Sequence, residues 1–81
     1  MITRKQIEKD LADCDYCAMC YGFEYKGKHC GIEPNGEYYF TMWYGDVDYV
    51  SHSIEGIFAV KLYDGKTLEE ILPDIEEYGA R

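Results

Sequence analysis

The feature that most constrains this chain is a change of period at Tyr21. Before it, apolar residues recur three or four apart: Ile7, Leu11, Cys14, Ala18, Tyr21. That spacing keeps one face of a helix turned inward. After it, Tyr21, Phe23 and Tyr25 alternate with Gly22, Glu24 and Lys26, the period of a strand. Few architectures accept a helix running directly into alternating strands. An antiparallel sheet flanked by helices is the simplest, and it sets the expected class as α+β.

The start of the first helix is marked by Thr3 as N-cap with Gln6 three residues later, a capping box. Ile2 and Ile7 are placed as a hydrophobic staple around it. On the strand side, a tight turn at Lys26-Gly27 or Gly27-Lys28 leads into His29–Glu33. Pro34-Asn35-Gly36 reads as the next turn, followed by the strongest strand pattern, Glu37–Tyr44. These segments predict a three-stranded meander. The last strand is apolar on both sides, with Tyr38, Phe40, Met42 and Tyr44 on one face and Tyr39, Thr41 and Trp43 on the other. So short a chain seldom covers both faces of a sheet, so Tyr39 and Trp43 are expected to lie partly exposed, unless a terminal helix or a second copy covers them.

The acidic stretch Gly45-Asp46-Val47-Asp48 predicts a loop, with a short strand from Tyr49. Ser53 can cap a short helix that puts Ile54, Ile57 and Phe58 on one face, although Ile57–Val60 also suits a strand; Val60–Tyr63 predicts a fourth strand. Asp64-Gly65 marks a turn, and Thr67 with Glu70 makes a second capping box. Leu68, Ile71, Leu72, Ile75 and Tyr78 trace a final helix, kinked at Pro73 and closed by Gly79. The expected fold is one domain over residues 1–81, with three to four antiparallel strands, an N-terminal helix and a Pro-kinked C-terminal helix.

Four cysteines fall within a short span: Cys14, Cys17, Cys20 and Cys30, with His29 beside the last. Cys-x-x-Cys turns commonly supply pairs of thiolates to tetrahedral zinc. The spacing predicts a structural zinc clip on Cys14, Cys17, Cys20 and Cys30, with His29 as the alternative ligand. Buried core thiols, an iron–sulfur cluster and disulfides compete with it. Four thiolates would close the zinc shell, leaving no open position for catalysis. No Gly-rich phosphate loop is present, and Asp46-Val47-Asp48 lacks the glycine and closing glutamate of a calcium loop. The expectation is a protein that is not an enzyme. The N-terminus has basic residues with no apolar stretch behind them, so a cytoplasmic location is expected.

Sixteen acidic against eight basic side chains give a formal charge of −8, which repels nucleic acid. It suits a basic protein partner, steered in by long-range attraction. Tyr39, Trp43, Asp46 and Asp48 are the expected contact residues, since aromatic anchors ringed by carboxylates select such a partner. In size, acidity and aromatic content the chain resembles small anti-CRISPR inhibitors of type II systems. That resemblance implies docking on an RNA-guided nuclease and blocking its DNA loading or cleavage. A zinc-stabilised regulatory module with a hydrophobic partner is the alternative.

Overall fold

The computed structural model describes residues 2–13 and 20–80. Helix α1 spans Arg4–Ala12, with Thr3 accepting a hydrogen bond from the Gln6 backbone N–H at 3.2 Å. Only half of the expected capping box forms there, because the Gln6 side chain turns forward to donate to Asp10 at 2.8 Å. Ile7 and Leu11 are its buried residues, and Ile2 packs against the same core.

Five antiparallel strands follow: β1 Tyr21–Tyr25, β2 Lys28–Gly36, β3 Tyr39–Tyr44, β4 Val47–Ser51 and, at the C-terminus, β5 Glu76–Ala80. Their order in the sheet is β4-β3-β2-β1-β5. Between β4 and β5 come α2 Ile54–Ala59, the short α3 Leu68–Ile71 and a 3₁₀ turn at Leu72–Asp74. Lys26 and Gly27 both have positive φ, the geometry that lets a two-residue turn match the twist of its strands. Ser53 caps α2 through the Gly56 N–H, and the Thr67–Glu70 capping box is complete at α3.

Four expectations are corrected. Pro34-Asn35-Gly36 is not the turn: β2 runs through it with a bulge, and the chain reverses at Glu37 and Tyr38. Pro34 is tolerated because its missing N–H would face the β1 side, where the pairing of β1 with β2 begins at Tyr21 opposite Ile32 and does not include Pro34. The acidic stretch is not a loop beyond its first two residues. Gly45, at φ +58, and Asp46 make a tight turn, and β4 begins at Val47 rather than Tyr49. Val60–Tyr63 is not a strand; Tyr63 only bridges Lys66 around Asp64 and Gly65, and its ring fills the core.

The largest correction is the C-terminal helix. It stops at the 3₁₀ turn, and Glu76–Ala80 joins β1 as an edge strand. Pro73 cannot donate to the preceding turn, and the exposed ladder of β1 offers the following residues another set of hydrogen bonds. Tyr78 still reaches the core side, stacking on Tyr21 at 5.9 Å and donating to Asp10 at 2.8 Å. Gly79 pairs with Gly22 instead of capping a helix.

Ile7, Leu11, Ile57, Phe58, Leu68 and Ile71 of the helices form one core with a single face of the sheet. Strand alternation brings Phe23, Cys30 and Tyr44 into one cross-strand row of that face, and Tyr21, Ile32 and Met42 into another. Among the described residues no helix is long and apolar enough to cross a membrane.

Candidate functional site

The second face of the sheet carries Gly22 and Glu24 from β1, His29, Gly31 and Glu33 from β2, Tyr39, Thr41 and Trp43 from β3, Asp48 and Val50 from β4, and Glu76 and Gly79 from β5. The buried residues of all three helices belong to the opposite side, so no described helix lies over this one. Three of the four expected contact residues, Tyr39, Trp43 and Asp48, meet here. Trp43 and Asp48 are direct cross-strand partners. Asp46 sits beside the face, in the β3–β4 turn.

Both aromatic side chains are held in place. Trp43 lies across its cross-strand neighbour Gly31, where a Cβ would fall inside the indole ring. Gly31 is buried beneath it. A row Gly79–Gly22–Gly31 therefore forms a trough in the sheet, with the indole at one end. Tyr39 is 45% exposed and meets the His52 ring edge-on at 5.8 Å. Thr41 donates to Asn35, which donates to the Glu33 carboxylate, each at 2.7 Å. Anchors held this way lose little conformational freedom when a partner arrives.

The described cations with assigned contacts lie away from the open face. Glu24, Glu33, Asp48 and Glu76 occupy the open face, and no Lys or Arg holds a strand position there. Lys28 and Lys26 fold instead over Tyr44 and Tyr25, which belong to the core face, at 4.7 Å and 5.5 Å from the ring centres. Arg4 is drawn to the helix side, with its guanidinium 4.6 Å over Phe58 and 2.6 Å from Glu69. At the β5 end a shallow pocket of about 370 Å³ is lined by Glu24, Tyr25, Lys26, Gly27, Asp74 and Glu76, three carboxylates against one ammonium.

The cysteines divide differently. Cys14 and Cys17 lie outside the described residues. Cys30 is fully buried in the core row between Phe23 and Tyr44, and burial pushes its thiol up to about 11. Its Sγ lies 3.5 Å from the Lys28 carbonyl. Cys20 is half-buried and precedes β1; Cys30 pairs with Phe23, three residues further along, a separation of about 10 Å at strand rise. A zinc ion sits roughly 2.3 Å from each thiolate sulfur, so a shared shell would need these two side chains to converge from different places. His29 points from the open face toward Glu24, 3.7 Å away. Among the described residues no group of three or more His, Cys, Asp or Glu is arranged to hold a metal.

Sequence reasoning missed Gly31, Glu24, Glu33 and Glu76 as parts of the open face. Glu24 and Glu33 were within reach of the alternation already visible in β1 and β2. Glu76 was not, because its segment carried a helical pattern. Neither a protein-family model nor a curated protein nor a solved structure matches the chain.

Proposed function

We propose that this protein acts by binding, using the open sheet face to dock on a basic, nucleic-acid-handling protein in the manner of an anti-CRISPR inhibitor. The observation that carries the reading is the coincidence of two anchored aromatic side chains, Tyr39 and Trp43, with carboxylates and no Lys or Arg at a strand position, on a face that no described helix covers. Proteins that hold nucleic acid do so in channels lined by Lys and Arg, and such a channel is complementary to this face. A bound −8 domain would compete with the phosphates for the same side chains. Trp43 offers a π surface to a partner arginine, and Asp48 beside it offers a carboxylate for the same guanidinium. No chemical step on the partner is required, so the action is occlusion rather than catalysis.

The test is DNA cleavage by guide-loaded type II nucleases in the presence of this protein, with affinity measured over a salt series. Inhibition that weakens steeply with salt, and that is lost in a Glu33→Lys/Asp48→Lys variant, is the expected result. If no nuclease is bound at low salt, the anti-CRISPR reading fails. Tight, salt-insensitive binding to another protein, abolished by Tyr39→Ala and Trp43→Ala, would favour a module with a hydrophobic partner; the exposure of Tyr39 and Val50 gives that reading its footing.

The zinc expectation is carried separately, by elemental mass spectrometry of untagged protein with thiol titration beside it. One zinc per chain with an unreactive Cys30 would assign the metal to Cys14, Cys17 and Cys20 with a fourth ligand other than Cys30. An absence of metal would remove zinc from the account.

A further inference from the structure

The two edges of the sheet are treated differently. Edge β5 is guarded: its pairing with β1 is broken by a bulge between Gly22 and Glu24, Glu77 sits at φ +56, and Glu76 and Glu77 are both charged. Bulges and charges of this kind are how sheets avoid edge-to-edge pairing. Edge β4 has no bulge and a single charge, Asp48. Its register with β3 is regular from Val47 to Ser51, it contains no Lys or Pro, and Val47, Tyr49 and Val50 are 54%, 41% and 38% exposed. Among the described residues the other exposed large hydrophobics are Tyr38 and Tyr39, in and just after the neighbouring turn.

The hydrogen-bonding phase of that edge can be worked out. Gly45 N–H donates to the His29 carbonyl at 2.9 Å, which aims the backbone groups of odd-numbered β3 residues at β2. Phe40, Met42 and Tyr44 therefore face β4 and use the N–H and C=O groups of Ser51, Tyr49 and Val47. The N–H and C=O of Asp48 and Val50 point outward, away from the sheet.

We propose that β4 pairs antiparallel with β4 of a second copy of this chain, in the register that sets Asp48 opposite the second copy's Val50 and Tyr49 opposite its own counterpart. The strand is self-complementary in this register alone. Every outward N–H and C=O of Asp48 and Val50 meets a partner, and the only carboxylate within the strand faces a valine. Shifting by one hydrogen-bonding step pairs Asp48 with Asp48 or Val50 with Val50. Each alternative leaves outward groups unmatched, and the first opposes like charges. Beyond the strand ends the favoured register carries Asp46 of each copy toward His52 of the other. The net charge of each copy is screened over about 8 Å at physiological salt. The pairing gives a continuous ten-stranded sheet, in which the two open faces merge into one surface bearing Tyr39, Trp43 and Asp48 twice. It stands whether or not that surface docks on a nuclease.

Sedimentation over a range from about 10 μM to about 1 mM covers the affinities a short strand interface can reach. The expected result is a doubling of mass with concentration, accompanied by concentration-dependent slowing of amide exchange at Asp48 and Val50. Val50→Glu, which sets a second carboxylate on the open face opposite Asp48 of the other copy without touching the core, should stay monomeric; Trp43→Ala should dimerise as the parent does. A parent that is monomeric throughout overturns the proposal, as does a dimer indifferent to a folded Val50→Glu. A dimer lost in Trp43→Ala but kept in Val50→Glu would be face-to-face and would overturn it too. Should Val50→Glu fail to fold, the exchange of the Asp48 and Val50 amides in the parent decides alone.

Discussion

Tyr25 and Tyr44 on one face of the sheet, and Tyr39 and Trp43 on the other, are aromatic side chains on the same antiparallel ladder, yet only the first pair is buried. Tyr25 and Tyr44 meet Tyr63 edge-on, with centroids 6.4 Å and 5.5 Å away, under the helices. Trp43 lies over Gly31, and Tyr39 meets His52 edge-on. Aromatic content does not decide which face becomes core. What separates the faces is the company of those aromatics: Phe23, Ile32, Phe40 and Met42 on the core side, Glu24, Glu33, Thr41 and Asp48 on the open side. Three helices close over the apolar side, and carboxylates make the other expensive to cover with anything but cations or water.

The sharpest way to break this contrast is truncation in the core. Phe23 is fully buried against Tyr63, so Phe23→Ala should destabilise the fold by about 3–5 kcal/mol, read from urea unfolding. In a domain this small such a loss approaches the whole stability. A loss below about 1 kcal/mol would mean the core is not where the structure places it.

On the open face the most costly change should be the smallest in atoms. Gly31→Ala drives a methyl group into the Trp43 indole, and the ring must leave its seat or the strands must part. A loss of about 1–3 kcal/mol is expected, as for overpacking elsewhere. Trp43 is the single tryptophan, so its emission should shift to the red in the same variant. Unchanged emission would show that the indole does not rest on Gly31.

Alkali should also distinguish the faces. Cys30 is held protonated by burial, up to about 11, whereas an unfolded thiol ionises about two units lower. The unfolded chain therefore loses this proton first, and stability falls as pH rises through the window between about 9 and about 11. Tyr44 adds to the trend, since its hydrogen bond to Asp64 and its burial raise its hydroxyl to about 12. The contribution of Cys30 is on the order of 3 kcal/mol, and Cys30→Ala should flatten the decline in that window. A parallel decline in the variant would place the cause elsewhere.

Legibility in the sequence follows the same division. The starts of α1, α2 and α3 were readable from Thr3, Ser53 and Thr67, because a cap is a local hydrogen bond between residues three apart. The alternation of β1 and β3, and with it the grouping of Tyr39 with Trp43, was readable for a similar reason. The C-terminus was not. Ile75 and Tyr78 fit a helical stripe as well as they fit a strand end, and the choice was made by the free edge of β1, far away in sequence. Pro34 misled in the same way: whether it ends a strand depends on what lies across from its absent N–H. The cysteine cluster suggested one metal site, whereas the ladder puts Cys30 in the core and Cys20 beyond the start of β1.

A smaller effect is expected at Tyr63, whose hydroxyl is buried without a hydrogen-bond partner among the described residues. A buried unsatisfied hydroxyl costs about 1–3 kcal/mol, so Tyr63→Phe should raise stability, by about 1 kcal/mol once the small void is counted. A loss of stability instead would reveal an ordered water or another group bonded to that oxygen.

The smallest change in stability should come from the open-face charges, and that smallness is what makes them informative. Asp48 and Glu33 are exposed, Glu33 accepting a hydrogen bond from Asn35, so Asp48→Lys and Glu33→Lys should each alter stability by no more than about 0.5 kcal/mol. If their purpose were to stabilise the fold, reversal would register in the unfolding midpoint. Loss of partner binding with an unmoved midpoint would instead assign the carboxylates to recognition. A core truncation cannot make that separation, because it weakens folding and binding together. The open face can be rewritten while the face beneath it keeps the molecule folded, as a surface kept for a partner requires.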